Sequence, residues 1–210
     1  MGGVKSLPIF WELIVQTKEQ IASASALLNR YSLGGKHLVE PGPSPKQLQV
    51  LTQAALRAPD HCDLIPFRFC VIQGDAKIRM ADLFERYARR KGKDESSRAI
   101  ERERALRAPL TLAVIARIDA HHPVVPSHEQ WMCVGGAITN VLNAAHMMGF
   151  AGKMLSGEKV RSVDIVGAFC DPGESLVGWI SIGTPVKPVM SKKQKNSDVE
   201  NSNCNISVIT

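Results

Sequence analysis

The sequence predicts an α+β fold or a mixed β-sheet with helices, one of them long and buried. Three observations predict it. Trp131, Val134, Ile138, Val141, Ala145 and Met148 recur at spacings of three and four, the period of a single apolar stripe on a helix. Short apolar runs at Phe67–Ile72, Leu110–Ala116 and Val177–Ile182 have the length and composition of strands and end at turn residues. Helical and strand segments alternate irregularly, which suits an α+β arrangement better than a regular βαβ series.

Three helix starts share one local pattern. Thr17-Lys-Glu-Gln20, Ser44-Pro-Lys-Gln47 and Ser127-His-Glu-Gln130 each read as a capping box, in which a hydroxyl and a glutamine side chain satisfy backbone N–H groups reciprocally. Pro45 stands at a first helical position, where its missing N–H costs nothing. Helices are therefore expected over 17–31, 44–57 and 127–148. Ala137, Ala144 and Ala145 widen the stripe of the third helix, so it is expected to be buried on several sides, with Gly149 closing it. A further helical region, 76–107, is broken near Gly92, and its alternating charges from Arg86 to Arg107 describe a solvated face. Phe150–Leu155 is a fourth strand candidate. Segment 190–210 is polar and aperiodic and reads as a disordered tail. The expected organisation is an extension over 1–16, one domain over 17–189, and that tail.

Composition bounds the function. A chain of 210 residues suffices for one ordinary domain. Apolar residues at 44% support a sizeable core, and charged residues at 22% argue against wholesale disorder. No apolar run reaches the roughly 18 residues a membrane span needs, and the first residues lack the pattern of a signal peptide. Five cysteines are odd in number, scattered and without a CxxC pair, which fits reduced thiols and a cytoplasmic setting. The net charge of +6 suits an anionic partner, a phosphorylated cofactor as readily as nucleic acid.

Three segments resemble the nitroreductase family, particularly its short bacterial members. Leu27-Leu-Asn-Arg-Tyr-Ser32, followed by Glu40-Pro41, resembles the family's N-terminal element. Ala55-Leu-Arg-Ala-Pro-Asp-His61, continuing to Pro66-Phe-Arg-Phe69, resembles its most specific segment. Ser156-Gly157, then Val177-Gly178 and Ile182-Gly-Thr-Pro185, resemble its C-terminal segment. Order and spacing match across about three quarters of the chain. The resemblance implies a nitroreductase-like α+β sandwich, a mixed β-sheet packed against helices with 127–148 as the long central helix, in an intertwined homodimer with two FMN sites at its interface. It implies an NAD(P)H-dependent flavin oxidoreductase, in which NADH or NADPH reduces FMN and the flavin passes electrons to a nitroaromatic, quinone or similar small-molecule acceptor. It assigns FMN contacts to Arg30, Tyr31, Ser32, Arg57, His61, Met154, Leu155 and Ser156, with Arg57 and His61 reaching the flavin from different subunits. It places the nicotinamide cofactor near Ala144, Ala145, His146, Met147, Met148 and Gly149.

The residues themselves are compatible with these roles. Arginine presents a planar fork that matches phosphate oxygens, although Arg30 also suits a helix C-terminus on dipole grounds alone. Pro59 stops a helix and turns Asp60 and His61 into a loop, where they can equally form a local turn network. Met154 stands where the family usually has an aromatic residue; methionine can still pack against a ring. The small residues of 144–149 are equally explained by helix packing. No acid–base pair stands out as catalytic, as expected where a flavin carries the chemistry. No metal is expected: His121, His122, His128 and Glu129 lack the HExxH spacing. Two other readings remain open from the residues: a flavin-fold binding or regulatory subunit without turnover, and a basic nucleic-acid module built on Arg86–Arg107.

Overall fold

The computed structural model describes residues 25–186. The capping pattern at Thr17–Gln20, most of the helix expected over 17–31, the extension over 1–16 and the segment 190–210 lie outside the described residues. The chain divides into two compact units, Met1–Arg30 and Tyr31–Thr210. In the first, residues 25–29 are helical and the Arg30 N–H donates to the Leu27 carbonyl.

The second unit carries the sheet. In chain order its elements are β1 (Leu38–Val39), α1 (Pro45–Ala55), β2 (Phe67–Ile72), α2 (Asp75–Arg90), α3 (Glu95–Leu106), β3 (Leu110–Ala116), α4 (Ser127–Met147), β4 (Ala151–Leu155), α5 (Val163–Phe169) and β5 (Ser175–Pro185). The strand order is β1-β5-β3-β2, with β4 also paired to β5. Every pairing of these strands is antiparallel. The parallel component of the expected mixed sheet is a single bridge between Ser32 and Gly152.

The sheet is covered on both faces, and β3 shows how. All seven of its residues are buried, because side chains alternate between faces and each face meets helices. Leu110, Leu112, Val114 and Ala116 join a core formed with Leu51 and Ala55 of α1 and with Val134, Ala137, Val141 and Ala145 of α4. Ala113 and Ile115 join a second core with Met80, Phe84 and Tyr87 of α2, Ala105 of α3 and Ile165 of α5. The unit is thus an α+β sandwich, helices on either side of an antiparallel sheet.

Helix ends follow local chemistry, with one correction. Ser44 and Gln47 form the expected capping box. Ser127 and Gln130 do not: the N-cap of α4 is Pro126, and no side chain caps it. Gln130 instead turns inward, is 2% exposed, and binds the loop before the helix. Its Oε1 accepts from Asp119 N–H at 2.8 Å, and its Nε2 donates to the carbonyls of Asp119 and Val125 at 2.8 and 3.0 Å. The end of α4 is as expected. Gly149, at φ 86°, lets its own N–H reach His146 O and the Phe150 N–H reach Ala145 O, the paired bonds of a Schellman motif. The stripe of α4 is buried at Val134, Val141 and Ala145, but Trp131 is 43% exposed.

Candidate flavin site

Four chain segments converge on a cavity of about 360 Å³ on the α2–α3 side of the sheet. Gly34, Gly35 and Lys36 come from the turn before β1. Arg104, Ala105 and Arg107 come from the end of α3. Lys153, Leu155, Ser156 and Lys159 come from β4 and the turn after it, and Trp179 and Ser181 come from β5. Met80 and Phe84 of α2 and Thr111 of β3 complete the lining. The register explains the pairing of walls: Lys153 faces Ser181 and Leu155 faces Trp179 across the β4–β5 ladder, so all four point to one side of the sheet.

A β-bulge shapes the mouth. The β3–β5 register shifts between Val114 and Ile115, leaving Val177 as the extra residue. Its carbonyl is taken up by the Ser156 hydroxyl, which donates at 2.9 Å. Gly178 next to it is at φ 152°, and a Cβ there would stand 2.2 Å from the Leu155 carbonyl oxygen, so no larger residue lets β4 approach this closely. Bulges of this kind re-aim side chains beside functional sites.

The cavity is strongly cationic. Five lysines or arginines line it, and two glutamates answer three of them. Glu101, 4% exposed, pairs with Lys159 at 2.5 Å and Arg104 at 2.7 Å, and with Lys93 at 3.1 Å. Burial pushes the Glu101 carboxyl upward, but the bonds to Lys159 and Lys93 and the Arg104 charge more than offset it, so it sits below the usual carboxylate range. Arg107 pairs with Glu103 at 3.0 Å, and Lys159 also stands over the Phe84 ring. Trp179 is 5% exposed, and its Nε1–H has no acceptor. A buried N–H without a partner costs about 1–3 kcal/mol.

The sequence-predicted residues fall in several places. Leu155 and Ser156 line the cavity. Ser32 is held beside β4 by its bridge to Gly152, with Leu33 N–H donating to the Gly152 carbonyl at 3.1 Å. Tyr31 packs against Leu33, Leu38 and Ala108. Met154 projects to the other face of β4, against the α1–α4 core, and not into the cavity. Arg30 belongs to the first unit. Ala144, Ala145 and Met148 pack in the α1–α4 core, His146 is half-buried, and Met147 and Gly149 are exposed. Three other hollows of the described surface contain none of these residues.

Arg57 and His61 lie on the opposite, α4 side of the sheet. Arg57 is exposed just past the end of α1, and the following turn rests on α4: a Cβ at Gly136 would stand 3.1 Å from the Ala58 Cβ. His61 Nδ1 is 2.9 Å from Glu129 Oε2 near the start of α4. Beyond it Cys62, Asp63 and Ile65 all have positive φ, at 64°, 50° and 47°, a strained conformation for a β-branched residue such as isoleucine. Asp60 holds the turn, accepting from the Ile65 N–H at 2.7 Å. Burial, with the nearby Asp60 charge and hydrogen bond, pushes the Cys133 thiol up to about 11, so it stays protonated and inert. The start and end of α4 are far apart: Glu129 to Ala145 spans about 24 Å at 1.5 Å per residue. In one chain, then, His61 and the 144–149 segment do not share a site.

Cavity residues outside the three resembling segments were not legible as site residues. Lys36, Arg104, Arg107, Lys153 and Lys159 belong to no common motif, and only strand register and helix placement bring them together. The run from Arg86 to Arg107 is also not a free basic stripe. Arg89 pairs with Glu85, Arg90 with Asp164, and Arg102 with Asp82.

An antiparallel sheet between helical layers, with a polar cavity opening on a bulged strand, defines the class: a nitroreductase-type α+β sandwich. The Nitroreductase family pattern matches residues 29–184, and the chain belongs to that family. It is 36% identical over 160 residues to YdjA of Escherichia coli K12, whose name assigns an NAD(P)H nitroreductase, covering 76% of this chain and 86% of that one. A Haemophilus influenzae protein of like name is 31% identical over 71% of this chain and 82% of its own. Among solved structures, a nitroreductase-like protein of Bacillus cereus aligns with a TM-score of 0.68 at 20% identity, over 81% of this chain and 89% of its own. A nitroreductase-named protein of Desulfovibrio desulfuricans, solved in complex with FMN, aligns at 0.60 and 20%, over 79% and 87%. No helix among the described residues is long and apolar enough to cross a membrane.

Proposed function

We propose that this chain is an FMN-dependent oxidoreductase that passes electrons from NAD(P)H to a nitroaromatic, quinone or similar acceptor. The observation that carries the reading is the cavity at β4: a cationic lining, and apolar walls from Met80, Phe84, Leu155 and the Trp179 ring. FMN combines a dianionic phosphate, a ring edge rich in acceptors and an apolar ring system, and the donor set fits all three. Its volume lies in the range usual for cofactor sites. The names of the curated relatives and the FMN bound by the Desulfovibrio protein support the same cofactor and donor.

The bound flavin would supply hydride acceptance and electron release, and the protein its position, electrostatics and shelter from water. Lys36, Lys153 and the pairs held by Glu101 set a positive potential. The Ser156 hydroxyl, fixed to Val177, holds the β4 turn at the mouth. Leu155 and Phe84 exclude water. Arg57 and His61 are on the other side of the sheet in their own chain, which supports a site completed by a second copy. The outer stripe of α4 supports the same homodimer, since Met132, Gly135, Thr139 and Met147 are exposed and uncharged.

The test is reconstitution. The purified protein mixed with FMN and desalted is expected to retain a flavin spectrum that bleaches with NADH or NADPH and returns on adding a nitroaromatic. A protein that emerges colourless overturns the reading. Flavin retained without bleaching by either nucleotide would point to a binding subunit instead.

A further inference from the structure

We propose that Lys153, with Lys36 as its second cation, is the residue that answers the ligand's negative charge in the β4 cavity; this rests on the FMN reading above. The five cations of the lining fall into two classes. Arg104, Arg107 and Lys159 are clamped by Glu101 and Glu103, and Lys159 is further held over the Phe84 ring. Their charge is largely spent within the wall. Lys36 and Lys153 have no carboxylate partner among the described residues.

Lys153 is the more constrained of the two. It lies in the middle of β4, half-buried, on the same side as Leu155 and opposite Ser181. β4 is an edge strand apart from the Ser32 bridge, and edge strands commonly carry lysines that point outward to block pairing with other chains. Lys153 lines the cavity instead. A lysine that lines a hollow with no carboxylate beside it leaves its charge available to an anion there. The Trp179 ring, one register step away on β5, closes the wall beside it.

FMN offers negative charge from two sources, its phosphate and the ring once reduced, and two measurements separate them. Lys153→Gln, Lys153→Arg and Lys36→Gln are made in the full chain, with circular dichroism confirming the fold. Dissociation constants for FMN and for riboflavin are read from flavin fluorescence, and the midpoint potential of the bound flavin is read by dye equilibration. If Lys153 answers the phosphate, Lys153→Gln weakens FMN about tenfold or more and leaves riboflavin unchanged, in keeping with a charge-assisted hydrogen bond. If it answers the reduced ring, both flavins still bind and the potential becomes more negative. Either outcome supports the proposal, with Lys153→Arg restoring most of the effect and Lys36→Gln giving a smaller change of the same kind. Unchanged affinities and potential in Lys153→Gln overturn it while leaving the flavin reading intact. A wild-type protein that takes up neither flavin overturns both.

Discussion

Glu101 shows what single residues contribute here. A carboxylate this buried is stable as an anion only when paired, and Lys93, Arg104 and Lys159 supply the pairing from three segments. Removing the charge strands three cations near one another. Breaking a buried pair typically costs about 3–5 kcal/mol; partial solvent access to the lysines and arginine brings Glu101→Gln nearer to about 2–3 kcal/mol. The carboxyl lies below the usual carboxylate range when folded, so its contribution is complete above the unfolded value and is lost as the pH falls through the folded one. Urea unfolding at neutral pH and again in mild acid is expected to show the wild type converging on Glu101→Gln as the pH drops. A gap that stays constant between them would mean that packing, not charge, sets the cost. None of this was legible in the sequence, where Glu101 is one of many alternating charges between Arg86 and Arg107; its burial depends on how α3 lies against α2.

At the scale of elements, the same sequence pattern led to two outcomes. Ser44 and Gln47 close a capping box, with Ser44 Oγ accepting from Gln47 N–H and Gln47 Oε1 from Ser44 N–H. Ser127 and Gln130 share the spacing, but α4 starts one residue earlier, at Pro126. The glutamine is drawn inward because the 117–126 connection carries backbone groups that need buried partners. Periodicity and length were enough to read α4, β2 and β3, since those signals are local; the choice between cap and core depends on a loop folding back, which is not local. Substitution separates the two cases. Ser44→Ala is expected to cost about 1 kcal/mol, and Ser127→Ala less than about 0.5 kcal/mol. Gln130→Ala is expected to cost about 2–4 kcal/mol, since it leaves an N–H and two carbonyls without partners. Thermal denaturation of the three variants checks the order, and equal losses from Ser127→Ala and Ser44→Ala would contradict it.

The whole molecule poses a question that the isolated chain answers by subtraction. Three ordered segments resembling one family were enough to read the fold and the cofactor, but strand order and the convergence of Lys36, Arg104, Lys153 and Trp179 were not, because register is fixed by pairing between strands distant in the chain, as Leu38 with Pro185. What the chain leaves uncovered is the outer stripe of α4. Trp131 and Met132 are 43% and 64% exposed, and from Trp131 to Gly149 the helix and its cap hold no acidic or basic residue other than His146. Uncharged apolar faces of this length mark interaction surfaces, and in a two-fold dimer each copy presents the same stripe to the other. Gly135 offers a clean test, because a Cβ built there meets nothing within 4 Å, and replacing a helical glycine favours the helix by up to about 1 kcal/mol. Gly135→Lys should therefore fold as well as the wild type while placing a charge at the centre of the proposed interface. Light scattering is expected to give twice the 22.9 kDa chain mass for the wild type and the single chain mass for the variant. The variant should also lose flavin retention, because the proposed site is completed by a second copy. A Gly135→Lys protein that remains dimeric would show that this stripe is not the interface, and a monomer that holds FMN as tightly as the wild type would show that each chain completes its own site.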